Sequence, residues 1–270
     1  METVAGREVA SMFIEQDWRA YTADDHEAWS RLYERRMREL EHTGSRVFLE
    51  GAAAIGLRRD AVPDLADVNA RLAARTGWAA VPVRGFIPAR DFFGCLAERR
   101  FPTTITVRPK DRLDYVPAPD IFHDVFGHVP LHADPVFADF LQAFGRLAAG
   151  ATDDHVTRLA RLFWFTVEFG LVREGGQVKV YGSGLISSAG DAANALSDRC
   201  ERRPFSLDGV MSQPFEIDHF QDVLFVIESF DQLFAAVADA RGRTTVSTTE
   251  NPARPDSGHT SERTGRTPAR

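Results

Sequence analysis

The sequence holds two cysteines, Cys95 and Cys200, in 270 residues. Thiols so far apart in the chain make neither a disulfide framework nor a metal-binding cysteine pattern, and they fit a reducing compartment. No apolar run approaches the roughly 18 residues that a membrane-spanning helix needs. Residues 1–18 are broken by charges and lack the apolar centre of a secretory leader. An excess of positive charge is missing as well: 32 Lys and Arg stand against 39 Asp and Glu, a net charge of −7. That balance argues against a general binder of nucleic acid or of anionic membranes. No glycine-rich phosphate loop, no βαβ alternation and no internal repeat is legible, so nucleotide-dependent chemistry is not expected. These absences together predict a cytoplasmic protein without membrane or nucleic-acid partners.

What is present is 44% hydrophobic and 26% charged residues, enough apolar material for a sizeable core. From about Val246 onward the chain turns to Ser, Thr, Pro, Gly and Arg with almost no large apolar side chain. The composition predicts a folded domain over residues 1–241 and a disordered tail over 242–270. Within the folded part, Thr22 to Asp25 reads as an N-terminal cap to a helix over 22–42, with Trp29, Leu32, Tyr33, Met37 and Leu40 at helical spacing. Asp64 caps a second helix through Leu65, Val68 and Leu72. Residues 81–88 (VPVRGFIP), with two prolines and a glycine, read as a loop. A short helix is expected at 91–96 and longer ones at 134–149, 153–173 and 218–240. Thr103 to Val107 and Gln177 to Tyr181 are strand candidates. Long helices with a few short strands make an α-rich α+β domain.

The most informative stretch is PDIFHDVFGHVP, residues 119–130. His123 and His128 lie five apart, which on a straight α-helix leaves the rings about 140° apart. They can share an ion only if the helix ends or distorts between them. Gly127 and Pro130 supply such a break, placing His123 on a last helical turn and His128 on the loop beyond. Two histidines at this spacing also suit a capping or core pair. The balance changes at RLFWFTVEFG, residues 161–170, where Glu168 stands among apolar and aromatic side chains. A glutamate there needs a cation or a proton to neutralise it. Two histidines and one carboxylate form the three-ligand face that suits non-haem Fe(II), and chemically also zinc.

These blocks, with RPKDRLDYVPAPD (108–120) before them and YGSGLISS (181–188) after, are similar to those of the pterin-dependent aromatic amino acid hydroxylases. The short bacterial phenylalanine hydroxylases are the members they most resemble. The resemblance runs from about Tyr21 to Phe230. It implies a single catalytic domain in which Fe(II) is held by His123, His128 and Glu168, with a tetrahydropterin cofactor and O₂ as cosubstrate. Arg108 would pair with the carboxylate of the amino acid, supported by Asp120, whose other reading is a helix cap before His123. The aromatic pocket would be Pro119, Trp164, Phe169, Gly184 and Ser187, with Ser187 donating toward the carboxylate end. The pterin would meet Val83, Gly85, Ile87, Phe92 as stacking ring, and Asp124.

The implied reaction is hydroxylation of L-phenylalanine to L-tyrosine, the substrate guess leaning on Ile217 and Trp164. The partners are then a small aromatic amino acid and, only functionally, the enzymes that recycle the pterin. Three residues depart from the family: Phe163 replaces a tyrosine, Val116 a threonine of animal members, and Ser183 an alanine. They leave meta-hydroxylation, or tryptophan as substrate, as alternatives beside a zinc hydrolase and a non-catalytic binding protein. Neither a regulatory domain nor a heptad-bearing tetramerisation helix is recognisable, so a monomer is expected. The remaining histidines, His132 among them, read as surface or structural.

Overall fold

The computed structural model describes residues 12–114, 118–217 and 219–246. The first long helix, α1 (Ala23–Thr43), starts on a capping box: the Asp25 N–H donates to the Thr22 hydroxyl, and the Thr22 N–H donates to the Asp25 carboxylate. Its apolar stripe buries Trp29, Leu32 and Leu40. Helix α2 (Arg46–Ala54) follows, then α3 (Leu65–Arg75), which is capped by Asp64 as its sequence predicts. Strand β1 (Ala79–Pro82), helix α4 (Ala89–Ala97) and strand β2 (Arg100–Thr103) form a small parallel unit.

Two expectations are corrected in this unit. Loop 81–88 begins inside β1, and the second strand lies at 100–103 rather than 103–107. The β-branched run leaves the ladder at Thr104, because its N–H and hydroxyl both donate to Asp124, at 2.6 and 2.7 Å. A side-chain acceptor has taken the place of a strand partner.

The stretch around the two histidines is also different from the helix-and-break arrangement expected. Phe122–His128 is one continuous π-helix, running into a 3₁₀ turn over Val129–Ala133. A π-turn closes between residues i and i+5, so a spacing of five stacks side chains that an α-helix would separate. Gly127 does not break the helix. A Cβ there would sit 3.0 Å from the Ser183 carbonyl oxygen, so the glycine permits close approach of the segment carrying Ser183.

Helix α5 (Pro135–Ala149) is capped by Asp134 and packs on α4. Helix α6 (Asp153–Phe163) passes into a second π-turn, Trp164–Glu168. The helix expected to reach residue 173 therefore stops at Glu168, and strand β3 (Leu171–Glu174) follows. It pairs with β4 (Gln177–Val180) across Gly175 and Gly176, whose φ of 57° and 80° make the tight hairpin turn possible. Then come α7 (Ser183–Ser187), α8 (Ala189–Leu196), β5 (Glu201–Pro204), α9 (Leu207–Ser212), β6 (Val223–Ile227) and α10 (Asp231–Val246).

The single helix expected over 218–240 is thus a strand and a helix. VLFVI occupies an interior position in the sheet order β4-β3-β6-β5, with parallel neighbours on both sides. Interior parallel strands read as unbroken apolar runs, which periodicity does not separate from buried helix. The crossovers at β1–α4–β2 and β5–α9–β6 are βαβ units too short to show as an alternation in the sequence. The backbone of residues 242–246 continues α10, and the rest of the expected tail lies outside the described residues. Among the described residues no helix is long and apolar enough to cross a membrane.

The core centres on Phe122 and Phe126, whose rings stack 4.5 Å apart within a surround of Trp29, Tyr33 and Phe48. A buried cation ties α1 to α7. Arg36 of α1 is paired with Glu39 and donates to the carbonyls of Ile186 and Leu185, at 2.8 and 3.0 Å. It thereby fastens the last turn of α7 to the longest helix.

Candidate metal centre and substrate cleft

Each π-turn delivers part of one cluster. His123 and His128 project from the first and Glu168 ends the second. Ligand atoms of the three lie within 4.8 Å of one another. The Nε2 atoms of the histidines are 3.3 Å apart, with Glu168 Oε1 3.3 Å from His128 Nε2 and Oε2 3.7 Å from His123 Nε2. Two nitrogens and one carboxylate facing a common point suit a divalent transition metal. Burial alone would push the Glu168 carboxyl up. The rings of His128 and His123 and the hydroxyl of Ser183 outweigh it and hold the group down at about 2. Glu168 is therefore an anion throughout the neutral range, as a ligand must be.

The surroundings orient these groups. Ser187 Oγ lies 2.9 Å from His123 Nδ1, which leaves Nε2 to face the cluster. The sequence reading gave Ser187 to the substrate's carboxylate end, whereas its hydroxyl is engaged with the histidine. Asp120 is buried and accepts from Arg108 Nε at 2.8 Å, from Arg108 Nη2 at 2.9 Å, and from the His123 N–H at 3.0 Å. Both readings of Asp120, arginine support and cap, are present in that one carboxylate. Arg108 also donates from Nη1 to the Leu113 carbonyl and lies 5.7 Å from the Phe122 ring centre.

Three of the residues expected to form the aromatic pocket lie together. The Trp164 ring lies 4.6 Å from Phe169 and is stacked 4.5 Å from Phe215. Gly184 lies against Phe169, since a Cβ there would be 3.1 Å from the ring. Pro119 is exposed. Ile217, the residue used to argue for phenylalanine, is among the most exposed apolar side chains, and Val116 lies outside the described residues.

On the expected pterin side, Val83 is buried and its N–H donates to the Thr103 carbonyl, while Gly85 and Ile87 are half-buried. Phe92 meets Phe101 and Phe163 edge-on, at 5.9 and 5.6 Å, so Phe163 helps seat that ring where the family has a tyrosine. Asp124 is buried and turned to Thr104. Burial pushes its carboxyl up to about 6, opposed by His123 and the two Thr104 bonds.

That shift has a measurable sign. Between the ordinary carboxyl value and about 6, folded Asp124 holds a proton that the unfolded chain has lost. Its contribution to stability is therefore present at low pH and falls as pH rises through that window, by about 3 kcal/mol. Denaturant titrations of the metal-free protein and of Asp124→Asn should show their stability difference shrinking or reversing by about that amount from pH 4 to pH 7. A difference independent of pH would place Asp124 in contact with water.

Some residues that shape the site were not legible as such. Thr104 read only as strand. Gln221 accepts from Trp164 Nε1 at 3.2 Å while donating to the Glu216 and His219 carbonyls, and its signal was hidden inside an expected helix. Ser183 stood out as a departure without a role, yet its Oγ donates to Glu168 Oε2 at 2.7 Å. His132, read as surface or structural, is the latter. It is buried and stacked on Trp78 at 4.7 Å, and burial holds its ring well below the usual range.

Comparison with known proteins points to one family. The family model for biopterin-dependent aromatic amino acid hydroxylases matches residues 17–241. A phenylalanine-4-hydroxylase of Caulobacter vibrioides is 44% identical over 224 residues, covering 82% of this chain and 76% of the relative. One from Chromobacterium violaceum is 43% identical, covering 81% and 74%. The crystal structure of the Chromobacterium violaceum phenylalanine hydroxylase with bound iron(III) and oxidised 7,8-dihydrobiopterin superposes with a TM-score of 0.81 at 37% identity. That match covers 95% of this chain and 98% of the other. With its fold, its three-ligand cluster and its sequence in agreement, the chain belongs to the biopterin-dependent aromatic amino acid hydroxylases.

Proposed function

We propose that this protein hydroxylates the ring of L-phenylalanine to give L-tyrosine, using Fe(II), a tetrahydropterin and O₂. The observation that carries the reading is the convergence of His123, His128 and Glu168 from two π-turns onto one point, within 4.8 Å. Together the bound ion, pterin and O₂ supply the oxygen atom and the electrons for a monooxygenation. The chain's own part is placement and exclusion of water.

Arg108 offers a planar fork to the carboxylate of the amino acid, and Asp120 keeps that fork from turning. Trp164, Phe169 and Gly184 offer an apolar wall to the aromatic ring, and Pro119 is assigned to the same pocket. Ser187 holds the ring of His123 through Nδ1, so that Nε2 faces the cluster. Phe92 provides a face for the pterin, with Val83, Gly85, Ile87 and Asp124 along the same side. The acidic balance of the chain is in keeping with a small-molecule enzyme acting as a monomer in the cytoplasm.

The test is anaerobic reconstitution with Fe(II), followed by tetrahydropterin, O₂ and L-phenylalanine, with the product identified by chromatography and mass spectrometry. Para-tyrosine is expected. Meta-tyrosine would overturn the ring position, and no product from phenylalanine, tryptophan or tyrosine with iron bound would overturn the enzyme.

A further inference from the structure

Ser183 opens α7 and is fully buried. Its hydroxyl has one proton and two acceptors within reach, the Glu168 carboxylate at 2.7 Å and the Val167 carbonyl at 3.3 Å. The charged and nearer acceptor takes it. The backbone around Ser183 has no freedom to move off. A Cβ at Gly182 would lie 2.4 Å from the Glu168 carbonyl oxygen and 2.3 Å from the Gly170 nitrogen, so only glycine lets the two segments touch. On the other side Gly127 of the first π-turn is packed on Ser183 itself, and Arg36 holds the far end of α7 by its carbonyls.

The consequence is an asymmetric carboxylate. Oε2 accepts from Ser183 and lies 3.7 Å from His123 Nε2, while Oε1 has no hydroxyl partner and faces His128 Nε2 at 3.3 Å. We propose that Ser183 is a positioning residue that fixes the carboxylate plane of Glu168 before the ion arrives and leaves Oε1 as its free, metal-facing oxygen. The inference rests on the metal-holding reading of His123, His128 and Glu168. A one-oxygen carboxylate ligand keeps further coordination positions open for O₂ and for the reacting partners.

The experiment is an anaerobic titration of the metal-free full-length protein with Co(II), counting bound ions and recording the absorption of the bound metal. It compares wild type, Glu168→Ala, Ser183→Ala and Ser183→Cys, the last being of similar size but a weak donor. Wild type should bind one ion and Glu168→Ala should lose it. Both Ser183 variants should still bind one ion, with Kd raised about tenfold, the magnitude usual for removing a ligand's hydrogen-bond partner. Their cobalt spectra should also shift, a change that a loss of stability alone would not produce. Wild-type Kd and spectrum in both Ser183 variants, with Glu168→Ala still losing the ion, would overturn the role of Ser183 and leave the metal site standing. Absence of stoichiometric binding to the wild type would overturn both.

Discussion

Replacing Glu168 with alanine is expected to abolish hydroxylation, lowering kcat by at least about a thousandfold, which is about 4 kcal/mol of barrier. The enzyme should also be purified without its ion. The glutamate is the only anion of a cluster whose other members are two imidazoles 3.3 Å apart. Removing it leaves two neutral ligands, too few to retain a divalent ion against water. The same change takes a charge out of a buried position, so the metal-free variant should melt within about 4 °C of the metal-free wild type. Functional groups of this kind are held at a cost to stability, not for its benefit. Full activity with a normal iron content would remove Glu168 from the site.

Asp120→Ala should have the larger effect on folding. The carboxylate accepts from Arg108 Nε, Nη2 and backbone N, and from the His123 N–H. Its loss strands a guanidinium whose side chain is only 11% exposed, and an uncompensated buried charge costs about 3–5 kcal/mol. For a chain of this size that lowers the melting temperature by about 10 °C. The fork of Arg108, no longer held, should raise KM for the amino acid by about tenfold or more, and kcat should fall as His123 loses its backbone anchor. Asp120→Asn, which keeps one acceptor oxygen, should lie between. An alanine variant as stable as wild type, with unchanged KM, would show that Arg108 is held by other groups and does not meet the substrate.

Both predictions start from residues that stand out in the sequence, and both depend on contacts that do not. Glu168 was conspicuous because a carboxylate amid Phe, Trp and Val needs a partner. Asp120 and Arg108 were joined by resemblance and not by spacing, since they stand twelve positions apart in the chain, beyond any helical or strand interval. The five-residue interval between His123 and His128 was read as demanding a distortion. That a distortion exists was inferred correctly, and its kind was not. An interrupted α-helix and a continuous π-turn satisfy the same interval, and local sequence does not choose between them.

The expected elements fared according to the same physics. Helices α1, α3 and α5 have side-chain caps and amphipathic stripes, which are local signals, and they lie where the sequence places them. Strand β6 carries no such signal. An apolar run of five becomes strand because β3 and β5 lie on either side of it, and the residues they pair with it are 55 and 22 positions away in the chain. The strand expected at 103–107 was lost for the converse reason: Asp124 offers Thr104 a better partner than a neighbouring strand does.

From sequence alone came the composition of a single apolar core, the capped helices, the ligand types and the family, because these depend on side-chain chemistry and short intervals. The tertiary structure decided which atoms meet. Ser187 is turned to His123, Ser183 to Glu168 and Gln221 to Trp164 by helices and strands packing from distant parts of the chain. Hydrogen-bond partners are selected by position within about 3 Å, and such distances are set only when the core has closed.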